Sequence, residues 1–529
     1  MKKTLILAAA FYTLQISAQN KRPDNWFNLD PTTDNVNGVS TERTYNDLLK
    51  DKTSTTVIVG VLDSGVDYKH EDLKDVMWTN PKEIAGNGID DDKNGYIDDI
   101  HGWNFIGGKD GKNVGADNLE LTRVYKDLKA KYDGKTIENM ATKADKKEFK
   151  FWEVVKADFE KEVAQQEAQA NQYKFFKEAV TEVIEKIKKE KGIDKVTADD
   201  LKAFDAKDQK EKQGKAIALS QALAGTNPDD LLKKLTEAIE HTDNSRYDVN
   251  ADTRSIVGDN YNDINEKYYG NNDVKGEGAD HGTHVAGIIA ATRKNNIGMD
   301  GVANNVKIMA VRCVPDGDER DKDIANAIRY AVDNGATILN MSFGKKYSPG
   351  KKAVDDAVKY AESKGVLLIH AAGNASEDID EIVHYPAKRF MGTKKEASNF
   401  MDIGALSWKP DDEVVAPFSN YGERTVDLFS PGVDIYSTTP ENKYADFSGT
   451  SMAAPVAAGV AAVLKSYFPS ITPKQMKKIL VKSSIKKYEN KKIIKPGTKD
   501  EMIEFKELSK NAGIINLYEA VLLAKKMGL

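Results

Sequence analysis

The sequence predicts an α/β fold, in which a mostly parallel sheet carries helices on both faces and is interrupted by an all-helical insertion. Three observations predict it. Short, nearly continuous runs of Val, Ile, Leu and Ala recur along the chain, as strands buried on both faces require. Helical patterns stand between these runs. One long segment breaks the alternation and has helical spacing throughout.

The strand-like runs lie at 57–62 (VIVGVL), 306–313, 337–341, 366–370 and 401–406. Amphipathic stretches at 323–334 and 351–364 separate them, so neighbouring strands are joined by helices and run parallel. From 135 to 191 there is neither Gly nor Pro. Apolar residues recur there in steps of three and four, at Trp152, Val155, Phe159 and Val163, and again at Tyr173, Phe176, Val180, Val183 and Ile187. Thr197-Ala-Asp-Asp200 reads as a capping box, and Asn227-Pro228 as a helix start. The insertion is therefore expected at 118–245. The remaining organisation is a leader at 1–18, an N-terminal extension at 19–50 and a main domain in two parts, 51–117 and 246–529.

With 40 % hydrophobic residues, the 529-residue chain can build a large core, which excludes wholesale disorder. Its 77 basic and 83 acidic side chains leave a net charge of −6. That charge gives it no electrostatic claim on nucleic acid or on an anionic membrane. Cys313 is the only cysteine. No intrachain disulfide can form, Cys-based zinc sites are excluded, and its apolar surroundings mark Cys313 as a core residue.

The first eighteen residues have the form of an export signal. Lys2 and Lys3 precede an apolar stretch at 5–14, and Ala18 precedes a cut at Gln19. No later run reaches the length of a membrane span. The mature protein is expected to be secreted or periplasmic.

Three segments carry chemistry. The run at 57–62 ends in Asp63, followed by Ser64-Gly65, and the carboxyl end of a parallel strand is where open sheets place functional groups. Asp280-His281-Gly-Thr-His284 opens a helix of small apolar residues. Its two histidines lack a third ligand nearby, which argues against a metal pair. In Phe447-Ser-Gly-Thr-Ser451-Met-Ala-Ala-Pro455, a serine meets the positive end of a helix. Jointly these segments supply an acid, a base and a nucleophile. A fourth, Asn87 to Asp99, spaces oxygen-bearing residues as a calcium loop does: Asp90, Asp92, Asn94, the Tyr96 position and Asp98. Its twelfth position is His101, so it is not an EF-hand.

The three catalytic segments, VLDSGVDYKHEDL, HGTHVAGIIAA and SGTSMAAPVAAG, resemble those of the subtilisin-like serine peptidases, or subtilases, nearly residue for residue. The likeness extends through LNMSFG, IHAAGN, YPA, FSNYG and LFSPG, over about 51–105 and 270–468. It implies a subtilisin-like doubly wound sheet and an exported endopeptidase acting on peptide or protein substrates. In that reading Ser451 is the nucleophile, His281 the general base and then acid, and Asp63 the residue that orients the imidazole. Asn374 becomes the oxyanion-hole asparagine. Ser342, Phe343 and Gly344 become the segment that pairs with substrate backbone, lining the first pocket with Ala371, Ala372 and Gly373. His384 takes the pocket floor, where it would make the pocket shallow, and Asp72 a calcium-ligating position. The alternative is a catalytically silent binding or adhesion protein on the same fold. Such proteins lose a catalytic residue, and all four are present here.

Two departures stand out. Asp63 and His281 are 218 positions apart, far more than the family's few tens, and the insertion accounts for the excess. Only about thirty residues lie between Gln19 and the first strand, too few for a folding propeptide. Tethered between segments that leave and enter the catalytic face, the insertion is expected to lie beside or over the cleft and to restrict access.

Overall fold

The computed structural model describes residues 22–241, 244–409 and 411–529. The expected leader lies outside them. The described residues form two compact units, 22–120 with 252–529 and 121–251.

The larger unit is built on seven strands: β1 (Val57–Asp63), β2 (Gly102–Asn104), β3 (Val306–Arg312), β4 (Ile338–Met341), β5 (Leu367–Ala371), β6 (Phe400–Leu406) and β7 (Leu428–Pro431). Their order in the sheet is β2-β3-β1-β4-β5-β6-β7, with every pair parallel. Side chains alternate across the sheet. Val59, Val61, Ile308, Ala310, Ile338 and Ile369 enter one core. Leu62, Met309, Val311, Leu339, Met341 and Leu368 enter another on the opposite face. Both faces being covered explains why the strands read as unbroken apolar runs. The chain places β3 on one side of β1 and β4 on the other. The carboxyl end of β1 therefore lies at the point where the strand order reverses, where such sheets hold their ligands.

The helices of this unit that matter to the site cover the first of those cores. The smaller unit supplies α1 (Glu120–Tyr132), α2 (Lys143–Lys191), α3 (Ala198–Ala203), α4 (Gln209–Leu223) and α5 (Pro228–His241), and α6 (Asp280–Ala290) follows in the larger one. After it come α7 (Asp321–Asp333), α8 (Lys351–Ser363) and α9 (Thr450–Tyr467). Val285, Ile288 and Ile289 of α6 and Val456, Val460 and Leu464 of α9 are buried together under the sheet. A proline interrupts α9 at Pro455. Proline has no N–H, so the carbonyl four residues back, that of Ser451, loses its helical donor. The hydroxyl of Ser342 supplies the missing bond, donating to the Ser451 carbonyl at 2.8 Å.

In the smaller unit, α2 runs for 49 residues. Thr142 caps its start, its hydroxyl accepting from the Asp145 N–H, and Gly192 ends it at φ 65°. Only glycine adopts that left-handed conformation freely, so the first glycine after the long run is where the helix stops. The unit has its own core, with Val180, Val183, Ile184 and Ile187 packed against Leu201, Ala218, Leu231 and Leu235. Nearer its start, the Phe159 ring stacks on Tyr125 at 3.9 Å between centroids. No helix among the described residues is long and apolar enough to cross a membrane.

Candidate active site

The three candidate residues each lie at an element end. Asp63 is the last residue of β1, His281 the second of α6 and Ser451 the second of α9. Asp63 is 2 % exposed. Its Oδ1 accepts from the Ser64 N–H at 2.8 Å and from His281 Nδ1 at 2.7 Å. Gly282 permits this approach: a Cβ there would fall 2.2 Å from the Gly65 carbonyl and 3.1 Å from Asp63 Oδ1. The His281 ring keeps 38 % of its surface exposed. Burial pulls its pKa down, but the Asp63 charge and hydrogen bond outweigh that and raise it above its ordinary value. His284, three residues on, is fully buried. Its Nε2 bonds the Ala445 carbonyl at 3.0 Å, its ring stacks on Phe447, and burial depresses its pKa to about 4. The two histidines thus serve different partners.

The Ser451 hydroxyl donates to the Ser342 carbonyl at 3.1 Å. Asn374 offers its Oδ1 to the Thr450 N–H and hydroxyl, both at 2.8 Å, which turns its Nδ2 the other way. One construction locates the donors. A Cβ built on Gly449 would lie 3.5 Å from Asn374 Nδ2, 3.5 Å from the Ser451 N–H nitrogen and 3.7 Å from Ser451 Cβ. Two nitrogens that carry N–H donors therefore lie near one another and near the serine side chain, at the positive end of α9.

The segment after β4 is tied at both ends. Ser342 exchanges bonds with Ser451, and Lys345 pairs antiparallel with Tyr385 through bonds of 2.9 and 2.8 Å. Ala371 and Ala372 are buried, and a Cβ on Gly373 would come 3.5 Å from His384 Nδ1. His384 is thus next to the wall that Gly373 forms. Its Nε2 bonds Glu377 at 2.6 Å, and Glu377 also pairs with Lys346 at 3.1 Å. Burial lowers the His384 pKa, partly opposed by Glu377. A cavity of about 190 Å³ is lined by His370, Ala372, His384, Lys388 and Asp402 among others.

In the oxygen-rich loop, carboxylate oxygens of Glu83, Asp90 and Asp92 lie within 4.8 Å of one another. Glu83 falls outside the spaced motif, and nothing in the sequence flags it. Asp98 is turned elsewhere, its carboxylate accepting from the Gly86 and Gly88 N–H groups at 2.7 and 2.8 Å. Asn94 Oδ1 accepts from the Tyr96 N–H, and its Nδ2 donates to Asp99. Asp99 is itself fully buried, and burial lifts its pKa to about 6. The Tyr96 ring packs edge-on against Trp103 and Tyr330. Asp72 is buried, and burial raises its pKa despite donors from Asn295, Met299 and Tyr444. Cys313 is fully buried, and burial pushes its thiol well above its ordinary value, consistent with a packing role.

A profile of the subtilase family matches residues 54–506. Among curated proteins the chain is 41 % identical over 187 residues to a thermophilic serine proteinase of Bacillus sp. (strain AK1), covering 35 % of this chain and 42 % of that protein. It is 35 % identical over 203 residues to subtilisin DY of Bacillus licheniformis, covering 38 % of this chain and 69 % of that one. A solved cold adapted subtilisin-like serine proteinase matches at 29 % identity and a TM-score of 0.35, over 45 % of this chain and 74 % of the other. The chain spans about half or less of the length of the curated relatives it matches first. The family match takes in the Asp63, His281, Asn374 and Ser451 segments in one span, and the chain belongs to the subtilase family.

Proposed function

We propose that the protein is an exported serine endopeptidase that hydrolyses peptide bonds through Asp63, His281 and Ser451. One observation carries the reading: a buried aspartate holds a half-open imidazole at 2.7 Å, while the Asn374 amide and the Ser451 N–H nitrogen both lie near the serine side chain. Asp63 accepts from Nδ1, so the proton sits there and Nε2 keeps its lone pair. Nε2 then takes the Ser451 proton as Oγ, rotating off the Ser342 carbonyl, attacks the scissile carbonyl. Charge developing on the substrate oxygen is met by Asn374 Nδ2 and the Ser451 N–H. The imidazolium, stabilised by Asp63, protonates the leaving amine, and water repeats the cycle on the acyl-enzyme. Peptides or proteins are the substrates, gripped by Ser342 to Gly344, with His384 limiting the depth of the first pocket.

The test is a fluorophosphonate probe on the purified chain, followed by a diverse peptide pool read by mass spectrometry. The expected result is one adduct on Ser451 and cleavage at many sites. No adduct and no cleavage would overturn the reading. Asn374→Leu is expected to lower kcat about 10²–10³-fold with KM little changed, a magnitude taken from subtilisin itself.

We also infer a structural calcium ion at the loop. Glu83, Asp90 and Asp92 offer a purely oxygen donor set, which suits a hard cation, and their crowded negative charge favours one. The ion would neutralise the cluster and fasten the loop. A ligand that binds only the folded state stabilises it by about 3 kcal/mol at a hundredfold excess over Kd. Chelation is expected to lower Tm and added calcium to restore it. Identical melting curves with and without chelator would refute the site.

A further inference from the structure

A second histidine–aspartate pair lies beneath the segment that would grip substrate. β5 and β6 run in parallel register with His370 directly beside Asp402. Both are almost fully buried. His370 Nδ1 lies 2.8 Å from Asp402 Oδ1, and His370 Nε2 lies 2.9 Å from the Phe343 carbonyl oxygen. Each ring nitrogen thus faces an oxygen acceptor. Asp402 is anchored in turn. Its other oxygen lies 3.4 Å from Lys388 Nζ, Lys388 pairs with Asp427 at 3.2 Å, and Asp427 pairs with Lys477 at 2.9 Å. All of these side chains but that of Lys477 are nearly inaccessible to solvent. A buried polar chain is costly unless every member is satisfied, so its place under this one carbonyl calls for an account.

The account lies in strand geometry. Along an extended segment, successive carbonyls point to opposite sides. The Ser342 carbonyl faces the Ser451 hydroxyl. The Phe343 carbonyl is taken inward by His370. By alternation the Gly344 carbonyl returns to the side of Ser342, where an added peptide strand would find it. A Cβ on Gly344 would sit 3.2 Å from the Tyr385 carbonyl and 3.6 Å from His370 Nε2, so the inward face is closely packed.

We propose that His370, held by Asp402, is a positioning residue that pins the Phe343 carbonyl inward and so presents the Ser342 and Gly344 backbone to a peptide strand. This rests on the reading of 342–344 as the substrate-pairing segment. The residue touches no reacting atom. Its effect is on how tightly an extended peptide is held, not on the bond-breaking step.

The test uses the full chain and three variants: His370→Phe, which keeps a ring and removes both ring nitrogens; His370→Gln, which restores an N–H donor; and Asp402→Asn, which removes the anchoring charge. Two substrates separate the effects, tetra-alanine p-nitroanilide and acetyl-alanine p-nitroanilide. His370→Phe is expected to raise KM for the long substrate about tenfold, the worth of one or two main-chain hydrogen bonds. Its kcat, its turnover of the short substrate and its rate of fluorophosphonate labelling are expected within twofold of wild type. His370→Gln is expected to recover most of the loss. Should His370→Phe fail to fold, Asp402→Asn is judged by the same split, with KM for the long substrate up about threefold. Equal losses on both substrates and on labelling, or no loss on any, overturn the positioning role. Calorimetric binding of tetra-alanine to Ser451→Ala, with and without His370→Phe, judges the role independently of hydrolysis. If wild type takes no phosphonate yet His370→Phe weakens that binding, the peptidase reading falls and the positioning role stands. If wild type is labelled yet binding is unchanged, the reverse holds.

Discussion

Ser451→Ala is expected to lower kcat by about 10⁶-fold, the size of loss known for the serine of subtilisin, a member of this family. The argument is local. The substitution removes the proposed nucleophile, and with it one hydrogen bond, to the Ser342 carbonyl at 3.1 Å. The reciprocal bond, from the Ser342 hydroxyl to the Ser451 carbonyl, remains, so the start of α9 keeps its support. Tm should therefore move little. What survives in the variant is the pair of N–H donors at Asn374 and residue 451, which still polarise a bound carbonyl for attack by water. The measurement is turnover of a peptide anilide by wild type and variant, each titrated with a fluorophosphonate to count active serines. Turnover within tenfold of wild type in a preparation that takes no phosphonate would exclude Ser451 as the nucleophile.

Asp63→Asn is expected to cost about 10⁴-fold in kcat, as the same change does in a serine–histidine–aspartate triad elsewhere. An amide in place of the carboxylate can present N–H to Nδ1. The ring proton then moves to Nε2, and the base loses its lone pair on the side where the serine stands. The pH profile gives a second readout. Two influences act on His281: burial, which lowers its pKa, and Asp63, which raises it further than burial lowers it. In wild type the base is lost as pH falls through a pKa above the ordinary histidine value. In Asp63→Asn burial acts unopposed, so the acid limb of kcat/KM should shift to lower pH. The same linkage bears on stability. A raised pKa contributes stability that is complete below the unfolded-state value and is lost as pH rises through the folded value. An unchanged acid limb in Asp63→Asn would mean that Asp63 does not set the base.

The three proposed catalytic residues stood out in the sequence because each lies at one end of an element whose composition is plain. A carboxylate closing an apolar run, a histidine opening a small-residue helix and a serine after a Gly-Thr turn all stand out without knowledge of contacts. The length of α2 was legible at its end, since Gly192 is the first residue after 135–191 able to stop it. Its continuity was legible too, because the polar stretch between Val163 and Tyr173 contains no breaker. His370 and Asp402 could not be paired from the sequence. They are 32 residues apart, and what joins them is the register of β5 on β6, which no spacing along the chain encodes. Glu83 was missed for the same reason: a turn, not a motif, carries it to Asp90 and Asp92.

Pro455 and Ser342 are 113 positions apart, yet they form one functional unit. The ring at 455 takes a donor away from the Ser451 carbonyl, and the hydroxyl at 342 gives one back. Substitutions at these two positions are therefore epistatic. Removing the hydroxyl leaves the part-buried Ser451 carbonyl without that donor while proline is present, and does much less harm once residue 455 carries its own N–H. The proline in α9 thus commits position 342, at the exit of β4, to be a hydrogen-bond donor, and the two sites must change together or not at all.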